Sequence, residues 1–114
     1  MSNVQFSKDP SGRPVIILNA DYEFPFMFGI WKAKKFLENR YKINAHLEMY
    51  DNKETYRYHK QNKIPIPRLR LEENTRYPIE LNIYRCKLII NNIESIKLFI
   101  ASAGSQKVSA SGTS

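Results

Sequence analysis

Displaced by 53 residues, the sequence lies over itself without a gap from Leu18 to Leu47. Leu18 meets Leu71, Pro25 meets Pro78, Ile30 meets Ile83, Lys34 meets Lys87, Asn39 meets Asn92, and Ile43 meets Ile96. Similar residues fall between them: Phe24 with Tyr77, Trp31 with Tyr84, Lys32 with Arg85, Ala33 with Cys86, Leu37 with Ile90, and Leu47 with Ile100. A repeat of this kind constrains a fold strongly, because each unit is a supersecondary piece that must bury its apolar face against a neighbour. Two readings stand at this point: a duplicated β-rich unit with pseudo-twofold symmetry, or an accidental alignment. The difficulty is local. Ile43 to Met49 alternates like a strand, while its counterpart Ile96 to Ile100 has helical spacing.

The remaining punctuation is read from turn chemistry and periodicity. Val4–Phe6 and Pro14–Leu18 flank Asp9-Pro10-Ser11-Gly12-Arg13, which predicts a β-hairpin. Phe26 to Leu37 fits either a helix face (Phe26, Ile30, Ala33, Leu37) or a strand with Phe26, Phe28 and Ile30 on one side. Asp51-Asn52-Lys53 reads as a turn, and Thr55–His59 as a β-prone run. Ile64-Pro65-Ile66-Pro67 must be extended, since each proline disfavours helix in the residue before it. Arg68-Leu69-Arg70-Leu71 alternates as a strand with one wet face, and Ile79–Ile90 as a long strand with a bulge near Ile83. Asn92 is an N-cap for a helix carrying Ile93, Ile96, Ile100 and Ala103. The expected fold is α+β: an antiparallel sheet with a C-terminal amphipathic helix, over a single domain at 1–105. Tandem units at 1–53 and 54–105 are open within it, and 106–114 is expected to be a flexible tail.

A repeated strand-rich unit closed by a helix resembles the PUR-repeat family, and more loosely the whirly-like single-stranded-DNA binders. The resemblance is architectural, spans most of residues 4–103 and brings no sequence motif with it. It implies two sheet-plus-helix units that bind single strands across their sheets.

Charge points the same way. Eighteen Lys and Arg stand against eleven acids, a net of +7. Residues 1–52 carry seven basic and six acidic groups, residues 53–114 eleven and five. Such an excess favours polyanions, although a solubilising surface is the plainer explanation. One cysteine, Cys86, excludes an intrachain disulfide and fits a reducing compartment, so a cytoplasmic location (virion or host cytoplasm if the protein is viral) is expected. No signal-peptide core or membrane-length apolar run is read in the sequence.

His46 and His59 are thirteen apart, and with one cysteine they form no metal-ligand spacing. Four glycines supply no phosphate-cradling loop. Cys86 lies among apolar residues, as a core thiol would. The expectation is a binding protein, not an enzyme, without metal or cofactor.

Three clusters interleave rings and cations: Trp31-Lys32-Ala33-Lys34-Lys35, Tyr56-Arg57-Tyr58-His59-Lys60 and Tyr84-Arg85-Cys86-Lys87, with Arg68 and Arg70 on one strand face. Cations neutralise phosphates and exposed rings stack on unpaired bases, so this combination suits single-stranded nucleic acid. The expected contact residues are Lys32, Lys34, Tyr56, Arg57, Tyr58, Lys60, Arg68, Arg70, Arg85 and Lys87, gathered on a sheet face. Trp31 is expected in the core; Tyr56 and Tyr58 fit core or surface. The alternative is a small phage or mobile-element accessory protein. It would dock on a protein partner or a second copy through an exposed Phe24, Phe26, Met27 and Phe28.

Overall fold

A computed structural model of the chain describes residues 3–113, with side chains as far as Ala103. The tail expected over 106–114 lies beyond the described side chains. The fold is α+β, with five helices and two small antiparallel sheets among the described residues. The chain divides into two compact units, one formed by 1–38 and 91–114, the other by 39–90.

The first unit opens with β1 (Val4–Lys8) and β2 (Pro14–Leu18), joined by the hairpin turn. The Asp9 carboxylate accepts the backbone N–H groups of Ser11 and Arg13, both at 2.9 Å, and Gly12 takes φ +84°, which favours glycine. The third strand, β3 (Phe26–Gly29), pairs with β2 and runs directly into α1 (Ile30–Glu38). Both readings of this stretch are therefore partly right: strand to Gly29, helix from Ile30. Alternation sends Phe26 and Phe28 inward, where their rings meet Phe36 of α1 at 5.9 and 4.9 Å. Helix α5 (Ile93–Thr113) packs on α1 and brings Phe99 edge-on to Phe6, 5.6 Å between centroids.

The second unit holds α2 (Arg40–Tyr50), α3 (Lys53–Gln61), β4 (Leu69–Leu71), β5 (Ile79–Leu81) and α4 (Ile83–Asn91). Three expected strands give way to helix. In 43–49 only Ile43 is buried, and Ala45, Leu47, Glu48 and Met49 are strong helix formers, so the alternation is coincidental. Thr55–His59 lies in α3, started by Asn52, whose side chain accepts the Thr55 N–H at 2.8 Å. The phase shift near Ile83 is not a bulge but a change of period. The strand stops at Leu81, Asn82 caps the Arg85 N–H at 2.8 Å, and Cys86, Leu88 and Ile89 are buried on a helix.

The 53-residue displacement holds in the structure. Ile16 pairs with Phe28 and Leu18 with Phe26, just as Leu69 pairs with Leu81 and Leu71 with Ile79. Helices α1 and α4 begin and end at equivalent residues, and α2 and α5 each begin one residue after an asparagine, Asn39 and Asn92. Asn19 and Glu72, equivalent positions, both take positive φ, and their carbonyls accept the Tyr22 and Thr75 N–H groups at 3.0 and 3.1 Å. Ala33 and Cys86, Phe36 and Ile89, and Ile43 and Ile96 are all buried. The second half differs chiefly at its start, where α3 stands in place of β1 so that β4 pairs with β5 alone, and at its end, where α5 runs on to Thr113 while α2 stops at Tyr50.

A common core position in two settings gives a measurable contrast. Phe36→Ala, which empties a fully buried ring site, should cost about 3–5 kcal/mol in urea unfolding. Cys86→Ala installs the residue found at position 33 and should cost about 1 kcal/mol.

Candidate nucleic-acid interface

Helix α3 is the most exposed element of the second unit and buries no residue. Lys53, Arg57 and Lys60 stand at i, i+4 and i+7, one face of the helix, with Lys63 three residues on. Among the described residues none of these four has an ion-pair partner. Like charges at this spacing oppose the helix by a few tenths of a kcal/mol per pair, roughly 0.2–0.5. Tyr58, 57% exposed, lies beside the stripe.

An isolated nine-residue helix is marginal in water, so α3 needs tethers. Its inward side supplies them. The His59 ring, its Nδ1 2.9 Å from the Thr55 carbonyl oxygen of the same helix, meets Tyr50 of α2 edge-on at 6.2 Å; Tyr50 in turn lies tilted against His46 at 4.8 Å. The stronger tether is Asp51, at the C-cap of α2. Tyr56 donates its O–H to Asp51 Oδ1, while Lys87 Nζ of α4 lies 3.2 Å from Oδ2. The Tyr56 hydroxyl, with help from Lys87, holds the Asp51 carboxyl below the usual carboxylate range. The same carboxylate pushes the Tyr56 phenol up to about 12.

On the outer face of β4 and β5, Glu80 receives two cations: Arg70 Nε at 3.0 Å and Arg68 at 3.7 Å. The opposite face is the buried row Leu69, Leu71, Ile79 and Leu81. Two arginines on one carboxylate leave one positive charge over, and exposed pairs of this kind contribute little to stability, about 0–1 kcal/mol.

The ten expected contact residues are all at the surface, but not on one sheet face. Tyr56, Arg57, Tyr58 and Lys60 belong to a helix. Arg85 and Lys87 flank buried Cys86 on α4, and two residues apart on a helix is roughly opposite sides, not one side. Lys32 and Lys34 flank buried Ala33 on α1 in the same way, and they belong to the first unit. Tyr56 and Lys87 are tied to Asp51. Trp31, expected in the core, is 44% exposed, and Tyr84 is 38% exposed. Of the proposed docking patch, Phe26 and Phe28 are buried by strand alternation, leaving Phe24 and Met27 outside. Sequence reasoning missed Lys53 and Lys63. Their signal was the spacing from Arg57 and Lys60, hidden once the segment was taken for a strand.

Burial pushes the Cys86 thiol up to about 11, so it behaves as a small core residue and not as a nucleophile. Among the described residues no group of three or more His, Cys, Asp or Glu could hold a metal, and no helix is long and apolar enough to cross a membrane. Set against protein-family models, curated proteins and solved structures, the chain gives no match.

The Asp51 node has a signed pH dependence. Its carboxylate stabilises the fold above the unfolded-state pKa, and that contribution is lost as pH falls through the lowered folded value. The Tyr56 contribution is complete below pH 10 and is lost as pH rises through about 12. Ultraviolet titration of the seven tyrosines should show one phenol ionising near 12, and Asp51→Asn should bring it back towards 10. An unchanged titration in Asp51→Asn would contradict the assignment.

Proposed function

We propose that this protein is a nucleic-acid-binding protein, not an enzyme, and that helix α3 is its principal contact. The observation that carries this reading is the row Lys53, Arg57 and Lys60, unpaired among the described residues on a helix that buries nothing, with Lys63 just past its end. Local repulsion opposes such a row, and a phosphate backbone relieves it. The unit that holds α3, residues 39–90, has eleven basic against six acidic residues, +5, whereas the rest of the chain has seven against five, +2. Tyr58 beside the cations favours single strands, since an exposed ring gains from an unpaired base. The contact surface is a helix face with the β4–β5 arginines as a second, partly neutralised contribution. A cytoplasmic location belongs to the same reading, with the lone cysteine kept as a buried thiol.

A second reading, an accessory protein of a phage or mobile element, draws on Phe24 and Met27, 71% and 56% exposed on the first unit. A large mass in light scattering with no oligonucleotide retardation at low salt would favour it.

Oligo-dT affinity measured over a range of salt separates the contributions. Each of Lys53→Ala, Arg57→Ala and Lys60→Ala should reduce the slope of log K against log salt by about 0.7, the single-strand value per phosphate contact. Arg70→Ala should reduce it less, because Glu80 already neutralises part of that charge. Tyr58→Ala should weaken binding by about 1–3 kcal/mol with the slope unchanged. Slopes that stay at the wild-type value in all the α3 variants would remove the helix from the interface.

A further inference from the structure

At the turn end of the β1–β2 hairpin the first unit contains an open cavity of about 660 Å³. It falls in the range of small-molecule sites, about 300–1,000 Å³. Pro14, Val15 and Ile30 make it apolar, Gly12 and Gly29 bring bare backbone to its wall, and Trp31 contributes the one large aromatic ring. Lys8 and Arg13 stand at its rim, and neither side chain has an ion-pair partner among the described residues. Asp9 also lines it, its Oδ1 accepting two backbone N–H groups of the turn, and its charge offsets one of the two cations. The turn is thereby fixed, and the two cations are carried on a preorganised hairpin.

The internal repeat supplies an independent argument. Trp31-Lys32 and Tyr84-Arg85 occupy the second and third residues of α1 and α4. Between the two halves the buried neighbours have changed, from Ala33 and Phe36 to Cys86 and Ile89. The half-exposed ring followed by a cation is kept in type, and on α1 the Lys35 ammonium lies 5.9 Å from the Trp31 ring centroid without lining the cavity. Only the first half has a hairpin here, since α3 replaces β1 in the second.

We infer that this cavity is a nucleotide subsite, in which one unpaired base stacks on Trp31 while its phosphate is held by Lys8 and Arg13. The inference rests on the proposed function for the class of ligand, and it adds a second contact point in a different unit from α3. Stacking on an aromatic ring contributes about 1–3 kcal/mol per base, and charge-assisted hydrogen bonds fix the phosphate.

Trp31 is the only tryptophan and reports its own site. The full-length protein is titrated with dTMP, with oligo-dT and with inorganic phosphate, following Trp31 fluorescence. Lys8→Ala/Arg13→Ala and a control, Lys97→Ala, are treated alike, and circular dichroism verifies their fold. Saturable quenching by dTMP and oligo-dT but not by phosphate is expected, about tenfold weaker in Lys8→Ala/Arg13→Ala and unchanged in the control. Retardation of oligo-dT without any Trp31 response overturns the subsite and leaves the α3 reading standing. A saturable response to dTMP with no oligonucleotide retained supports the subsite and overturns the α3 reading. Quenching equal in the wild type and Lys8→Ala/Arg13→Ala, or by phosphate alone, also overturns the subsite.

Discussion

The packing of a strand pair's inner row against a buried helix face is the interaction on which the rest of this molecule depends. In the first half Ile16, Leu18, Phe26 and Phe28 form the row, and Phe36 closes it from α1. In the second half the buried set is Leu69, Leu71, Ile79, Leu81, Cys86 and Ile89. The register is the same, yet the fillings differ: a small and a large residue, Ala33 and Phe36, answer to two intermediate ones, Cys86 and Ile89. Cores tolerate such exchanges when total volume and pattern are kept. The helix that follows each half goes to the other unit, so α5 packs on α1 while α2 belongs with α3, β4, β5 and α4.

Once the core has claimed the inward positions, the cations and nine of the fourteen Phe, Tyr and Trp rings have no place but the surface. They are not equivalent there. Lys87 is held by Asp51, and Arg68 and Arg70 share Glu80, whereas Lys53, Arg57 and Lys60 make no ion pair among the described residues, on a helix that depends on its cap and on the Asp51–Tyr56 bond. A helix so placed has little to do for the core. Its sequence is free to serve a ligand, and its charge is the feature that a phosphate chain would recognise.

Much of this was legible in the sequence, and the failures share a cause. The hairpin, the α+β class and the buried Ile96 and Ala103 of α5 followed from turn residues and helical spacing. The 53-residue displacement sets Ala33 against Cys86 and Ile43 against Ile96, and all four are buried. Short windows misled where apolar residues happened to alternate, at Ile43–Met49 and Thr55–His59, and where a strand ran into a helix within one apolar run, at Phe26–Leu37 and Ile79–Ile90. Asn52 and Asn82 marked the true helix starts, and each reads equally as a turn residue until its backbone partner is seen. The misread period then put Arg85 and Lys87 on one face and hid Lys53 and Lys63. Ion pairing was not legible at all, since Glu80 meets Arg68 and Arg70 only across the β4–β5 pair.

Lysine acetylation footprinting, read by mass spectrometry with and without saturating oligo-dT, examines the central claim residue by residue. Protection concentrated at Lys53, Lys60 and Lys63 is the outcome expected, with Lys97 reacting as in the free protein. Protection absent from those three, or spread evenly over every lysine, would contradict the assignment of α3 as the nucleic-acid contact.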